Sequence, residues 1–153
     1  MVDNPSGVDE MPVILERRTS RSILDDFMLK IYFRSDFKWQ DTVLINGSEN
    51  ELSELRYVLV GWRGERSSLI NSLRSRVSLI LDGISDLTLE LANDEEIRGV
   101  FNNHGTIVWL LSLTQRDRIV GLLDSLRHDE APCHQYLETG GTAQILCARD
   151  EYM

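Results

Sequence analysis

The chain has 153 residues, a hydrophobic share of 42% and a formal net charge of −9, from 16 basic and 25 acidic residues. This length favours one domain with a real core, and no run approaches the ~20 apolar residues of a membrane helix. The acidic balance argues against a general nucleic-acid binder, because phosphate contacts need a basic surface. It suits a basic protein partner, or simply a surface charge that keeps the protein dissolved.

The N-terminal stretch carries no sign of targeting. It lacks a basic region followed by an apolar run, which predicts no secretory signal and a cytoplasmic protein. Two reduced thiols, Cys133 and Cys147, are then expected in place of a disulfide. Residues 1–22 contain two prolines, a glycine and mixed charges without a sustained period. They are predicted to form a flexible tail, followed by a single domain over residues 23–153.

A hairpin is predicted at the start of this domain. Apolar residues alternate over 27–33, which is the period of a half-buried strand. Residues 42–45 form a second apolar run, expected to pair antiparallel with the first. The connection carries Phe37 and Trp39. An exposed Trp39 would be typical of an interface hot spot, and packing under the loop is the alternative.

A helix is predicted directly after this hairpin. Ser48 and Glu51 fit a capping box, in which the two residues satisfy each other's free backbone N–H groups. Leu52, Leu55 and Leu59 would form its buried face, and glycines at 61 and 64 would end it.

Residues 67–81 allow two interpretations. They can form a third long helix, or an irregular or short helical segment that leads into a strand. The turn signal Asp82-Gly83 favours a hairpin of 76–81 with 86–92. A short strand over 97–101 and a hairpin turn over 102–105 are expected next.

The clearest structural signal lies in residues 106–148. An apolar run over 107–111 predicts a strand, and Thr114 with Asp117 resembles the capping box of a following helix. Apolar residues at helical spacing continue over 119–126, and Pro132 prevents further helix. A short edge strand over 134–138 and an apolar strand over 143–147 complete this region.

The arrangement of strand, cap and helix occurs twice, which suggests an internal duplication. The predicted fold is α+β, with an antiparallel sheet and two main helices packed on one face.

The side chains that could bind a metal or take part in catalysis lie near the C-terminal end of the second predicted helix. Imidazole and thiolate groups of His128, Cys133 and His134 would suit a transition metal, but their spacing matches no standard zinc pattern. Adjacent residues on a strand point to opposite faces, which disfavours cooperation between Cys133 and His134. A nucleophile elbow, a phosphate loop and a dinucleotide fingerprint are all missing. A protein without catalysis, metal or cofactor is therefore expected, and a small thiol-dependent or metal-binding enzyme is the alternative.

A resemblance comes from the C-terminal residues. The helix, the segment His134-Gln-Tyr-Leu-Glu138, a turn and an apolar strand ending in acids resemble one family of immunity proteins from bacterial polymorphic-toxin systems. Tyr136 stands where that family has a second histidine. The resemblance covers about a quarter of the chain. It implies a small acidic cytoplasmic protein that binds and neutralises a cognate toxin, with His134 and Glu138 in the matched segment.

An acidic surface around the C-terminal unit is the predicted docking face for a basic partner. Its charges would accelerate association, and an aromatic side chain would supply the desolvated anchor. The predicted partner-binding residues are Trp39, Asp129, Glu130, His134, Tyr136 and Glu138, and further acids expected on this face are Asp94, Glu95, Glu96, Asp150 and Glu151.

Overall fold

A computed structural model describes residues 28–93, 98–103, 106–128 and 133–150. The tail predicted for residues 1–22 lies outside them. The helices in the described ranges are α1 (Glu49–Gly61), α2 (Leu69–Arg74) and α3 (Leu113–His128). The strands are β1 (Met28–Phe37), β2 (Gln40–Gly47), β3 (Ser67–Ser68), β4 (Ser78–Asp82), β5 (Leu87–Leu91), β6 (Gly99–Asn103), β7 (Thr106–Leu111), β8 (Cys133–Glu138) and β9 (Ala143–Arg149).

These nine strands form one sheet in the order β3-β5-β7-β6-β9-β2-β1-β4, and β8 pairs with β9 outside this path. The pairs β9–β2, β1–β4 and β5–β7 are parallel, and the other pairs are antiparallel. The α+β class is confirmed, but the antiparallel sheet was a wrong prediction, because the sheet is mixed. An alternating pattern identifies a strand and its buried face, but it carries no information about the direction of the neighbouring strand.

The first hairpin and its helix follow the local sequence signals. β1 and β2 pair antiparallel, with Ile31 opposite Ile45. The capping box is confirmed, because the Ser48 backbone N–H donates to Glu51 Oε1 at 2.9 Å at the start of α1. The three leucines predicted for the inner face of α1 are fully buried.

The cap of α3 differs from the prediction. The hydroxyl of Ser112 accepts the backbone N–H of Gln115 at 3.1 Å, and Thr114 lies inside the first helical turn. Thr114 was therefore the wrong cap. Because β7 ends at Leu111, the first hydroxyl after the strand is already in place to satisfy a free N–H group. Ile119, Leu123 and Leu126 form the buried face.

The predicted hairpin between 76–81 and 86–92 does not form. Both strands exist as β4 and β5, but β4 pairs with β1 and β5 pairs with β7. The third long helix is absent from this described region, where α2 is six residues long. Pairing with separate partners lets Leu87 and Leu89 enter the core, with exposed fractions of 0% and 1%.

The strand predicted over 97–101 exists as β6, which continues through Asn103 and pairs antiparallel with β7, and the strand predicted over 134–138 is confirmed as β8. One edge of β9 is shared between β6 and β8: Ala143 pairs with Val100, and Ile145 pairs with Glu138. A Cβ on Gly99 would lie 2.3 Å from the carbonyl of Gly140, so this junction requires glycine.

The core lies between one face of the sheet and the helices. All three described helices bury side chains in it, and the two longer ones, α1 and α3, also pack on each other. Strands β1, β2 and β5 to β9 supply the opposing apolar side chains. We call this the covered face. None of the described helices is long and apolar enough to cross a membrane. The internal duplication stays a prediction.

Candidate binding groove on the open face of the sheet

The face of the sheet opposite the core carries a row of side chains that runs across four strands. The register places Tyr32 beside Leu44, Leu44 beside Leu146, and Leu146 beside Tyr136. Leu44 and Leu146 have exposed fractions of only 6% and 7%. We call this side the open face, since the buried side chains of the described helices all belong to the covered face.

A groove of about 620 Å³ lies on the open face. Its most buried residues, Leu44, Leu146 and Ala148, form an apolar floor. This volume falls in the range of ligand pockets, which combine an apolar lining with a few polar groups. The residues that line the groove are Tyr32, Arg34, Ser35, Asp36, Phe37, Lys38, Leu44, His134, Leu146 and Ala148.

The turn between β1 and β2 forms one side of this groove. Its backbone is left-handed at Asp36 (φ 56°), Lys38 (φ 51°) and Trp39 (φ 73°), a conformation that costs most residues roughly 1–2 kcal/mol each. The Asp36 N–H donates to the Asp41 carboxylate at 3.0 Å, which helps to hold the turn. Strained backbone of this kind is a reason to consider a functional role.

The same turn projects Trp39 into solvent with an exposed fraction of 92%. The sequence was compatible with an exposed Trp39 or with one packed under the loop. In the structure the side chain is exposed. Trp39 itself does not line the groove but directly follows the lining residues Phe37 and Lys38. The groove and Trp39 together therefore offer a concave and a protruding apolar feature at one end of the hairpin.

Two basic side chains, Arg34 and Lys38, line the groove of this acidic chain. Residues 28–48 contain three bases and two acids, a net charge of +1, which leaves −10 for the rest of the −9 chain. The Arg34 guanidinium lies 4.8 Å from the Tyr32 ring centroid and 3.0 Å from the Asp82 carboxylate. The Lys38 ammonium lies 5.5 Å from the Phe37 ring centroid. At the turn end of the hairpin, Arg34 and Lys38 lie close to Asp36, Asp41 and Asp82, so this end of the groove carries charges of both signs.

Besides Trp39, two more of the predicted partner-binding residues, His134 and Tyr136, lie at or beside this groove. His134 is exposed and lines it, and its ring meets the Tyr136 ring edge-on at a centroid distance of 6.5 Å. Because β8 alternates, both side chains lie on the open face.

Glu138 lies elsewhere. Its side chain is buried, accepts the indole N–H of Trp109 at Oε1 (3.0 Å) and accepts the Gly140 N–H at Oε2 (3.1 Å). A register shift between Ile145 and Leu146 interrupts the pairing of β8 with β9, and Glu138 lies beyond it. An exposed fraction of 8% leaves little of Glu138 for a partner to contact.

Most of the predicted acidic surface lies outside the described residues. This holds for Asp129 and Glu130, which precede β8 in the sequence, and for Asp94, Glu95, Glu96 and Glu151. Asp150 is described, and its half-exposed carboxylate lies 3.9 Å from Arg149. The acidic docking surface stays a prediction.

The candidate metal and thiol residues are separated by the fold. Cys133 packs against the core, with Sγ 3.8 Å from the Leu126 carbonyl, whereas His134 faces the groove. Burial raises the pKa of the Cys147 thiol, which disfavours a reactive thiolate there. Across the described ranges no three histidine, cysteine or acidic side chains form a group suited to a metal ion.

The groove was not predicted from the sequence, although the apolar runs of two strands indicate it. Residues 42–45 and 143–147 are nearly continuous apolar runs, and the structure buries every residue of β2 from Thr42 and all of β9. Such runs are typical of strands covered on both faces, whereas alternation marks a strand covered on one. Both runs were predicted as apolar strands, but a groove on their second face was not predicted.

Comparison with protein-family models, curated proteins and solved structures finds no match to this chain. The basis for a functional conclusion is therefore the geometry of the groove and its turn.

Proposed function

We propose that this protein is a non-enzymatic protein-binding module that docks through the groove and the Trp39 turn. The observation that carries the proposal is a tryptophan with an exposed fraction of 92%, on a turn held in a left-handed conformation beside an apolar floor. Tryptophan is enriched among interface hot spots, and a turn already in its bound conformation loses less entropy on docking.

The finer proposal is an immunity-type inhibitor that neutralises a cognate bacterial toxin. It is supported by the resemblance of the segment at residues 134–138 and by the position of His134 and Tyr136 at or beside the groove. Inhibition by occlusion needs affinity and shape but no catalytic group. A net charge of −10 outside residues 28–48 favours a partner that is basic overall, through faster encounter.

Co-expression tests this proposal. The product of the gene adjacent to this one is expressed in bacteria with the full chain, with Trp39→Ala or with Tyr57→Ala. Tyr57 is the matched control, since it is an aromatic on α1 with an exposed fraction of 60%. The native chain and Tyr57→Ala should restore growth, and Trp39→Ala should weaken binding by roughly 30-fold, the loss typical of a hot spot of about 2 kcal/mol.

Two outcomes contradict the proposal. A native chain that neither binds the neighbouring product nor restores growth removes the immunity role. Full protection by Trp39→Ala removes the turn from the docking surface.

A further inference from the structure

We infer that residues 13–15 of this chain occupy the groove in the free protein, and that a partner must displace them to dock. They read Val13-Ile14-Leu15 and belong to residues 1–27, which precede β1 and are outside the described ranges. Occupation of the groove follows from the fold, whereas the competition with a partner rests on the proposed binding function.

The open face of the two central strands has the character of a face that a second layer covers. β2 and β9 carry apolar side chains toward both faces, which is typical of strands with a layer on each side. The described helices supply one layer, since α1, α2 and α3 all pack on the covered face. On the open face even two polar side chains, Thr42 and Gln144, are buried, with exposed fractions of 0% and 7%, and they hydrogen bond to each other at 2.9 Å. A segment from elsewhere in the chain is the expected second layer.

The stretch before β1 is long enough to reach the whole groove. β1 begins at Met28, and the lining residue Phe37 at its other end is nine residues further, about 30 Å at ~3.4 Å per residue. Leu15 is thirteen residues before Met28, and a chain of that length spans up to roughly 45 Å. Residues 13–15 can therefore fold back over any part of the groove.

These residues also match the floor in their chemistry. Within residues 1–27 only positions 13–15 have three consecutive aliphatic side chains. The floor that they meet, Leu44, Leu146 and Ala148, is aliphatic too, and a volume of about 620 Å³ has room for more than one side chain. Removal of both aliphatic surfaces from water favours the contact. The lining carries charges of both signs, so the contact is apolar in nature.

Covalent attachment makes a weak contact sufficient. A segment tethered by a short chain has an effective concentration on the order of 1 mM at the groove. A dissociation constant of about 0.25 mM then fills the groove in about four fifths of the molecules. A separate partner binds only the free fraction, so its apparent dissociation constant rises by the reciprocal of that fraction.

Amide signals of the full-length, ¹⁵N-labelled chain test the occupation. Ile14→Asp should shift the signals of Leu44, Leu146 and Ala148, because a carboxylate is not stable on an apolar floor. Val8→Asp is the matched control, since it adds the same charge in the same stretch but outside residues 13–15, and it should leave these signals in place. In the native chain the signals should not change on tenfold dilution, because the contact is intramolecular.

A synthetic peptide of residues 9–17 identifies the segment directly. At about 5 mM it should return the groove signals of the Ile14→Asp chain toward their native positions. The same peptide with aspartate in place of Ile14 should not. Folding is checked by the thermal midpoint, and if Ile14→Asp unfolds the chain, Ile14→Ser is measured in the same way.

Release of the groove should strengthen partner docking. Ile14→Asp should bind the product of the adjacent gene roughly 5-fold more tightly than the native chain does, because about one fifth of the native molecules have a free groove. Val8→Asp should bind it as the native chain does. Titration calorimetry measures the three affinities.

The inference is overturned if Ile14→Asp leaves the groove signals in place or if Val8→Asp shifts them equally. Signals that move on dilution would overturn it in favour of a second copy of the chain as the cover. Its failure is separable from that of the proposed function. A groove released by Ile14→Asp in a chain that does not restore growth overturns the immunity role alone. Unchanged partner affinity after release of the groove overturns the competition alone.

Discussion

The two faces of the central strands differ in what covers them. On the covered face, Val43, Ile45 and Ile145 are fully buried and pack with helix side chains in one hydrophobic core. On the open face, Leu44 and Leu146 are almost as well buried, yet they line a groove of about 620 Å³. Filled apolar surface stabilises the fold, whereas apolar surface beside an open groove is available to a second molecule.

The largest expected effect is a loss of stability, and it should differ between a tryptophan on the covered face, Trp109, and the exposed Trp39. Trp109→Ala should lower the free energy of unfolding by about 3–5 kcal/mol, because Trp109 is fully buried and its removal leaves a cavity. Trp39→Ala should change it by less than about 0.5 kcal/mol, because its side chain contacts mainly water. Urea denaturation measures both values. Equal destabilisation by the two variants would show that the Trp39 turn belongs to the core.

Glu138 was predicted from sequence to contact a partner, but its side chain is buried in the structure. Glu138→Ala should destabilise the fold by about 1–3 kcal/mol, because the buried indole N–H of Trp109 loses its acceptor. Glu138→Gln should cost less, since an amide oxygen can still accept. The same denaturation assay applies. Weaker partner binding by Glu138→Ala with unchanged stability would instead support the interface role.

Arg116 tests how α1 and α3 are joined over the covered face. Its Nη1 donates to the carbonyls of Leu59, Val60 and Trp62 at 3.2, 3.2 and 2.5 Å, at the end of α1. Arg116→Ala should lower the free energy of unfolding by about 1–2 kcal/mol, because these carbonyls lose a charged donor.

The control is Arg118→Ala, since Arg118 is exposed and its side-chain hydrogen bond to a described residue stays within α3, at Gln115. It should change the stability by less than about 0.5 kcal/mol. If both variants behave alike in thermal unfolding, the bridge from α3 to α1 does not contribute to stability.

The smallest effect concerns a half-exposed ion pair between the same helices. The hydrogen bond from Arg56 Nε to the Asp124 carboxylate, at 2.6 Å, and the charge of Arg127 hold the pKa of Asp124 below its usual value. A depressed folded-state pKa adds stability that is present above the unfolded value of 3.8 and is lost as pH falls through the folded value.

Asp124→Asn should therefore cost less than about 1 kcal/mol at pH 7, because solvent screens the pair, and progressively less below pH ~4. Stability curves at several pH values measure the difference. A cost that stays constant down to the lowest pH would assign it to packing, and the charge would have no part in it.

Sequence by itself determined the elements whose signals are local. The β1–β2 hairpin follows from alternation and a short connection, and α1 follows from the pairing of Ser48 with Glu51 three residues later. The buried faces of α1 and α3 follow from leucine spacing alone. In these cases the interacting residues lie on one element or on two consecutive ones, so the sequence pattern alone predicts the contact.

Tertiary structure decided which strands pair and what the open face carries. β4 and β5 are close in sequence, yet β4 pairs with β1 and β5 pairs with β7, and in this arrangement Leu87 and Leu89 are buried in the core. The groove needs Tyr32, Leu44, Leu146 and His134 from four strands, brought together by parallel and antiparallel registers. The alternation of apolar and polar side chains is a local property of the sequence. The direction of a strand and the strand that it pairs with depend on the free energy of the whole sheet.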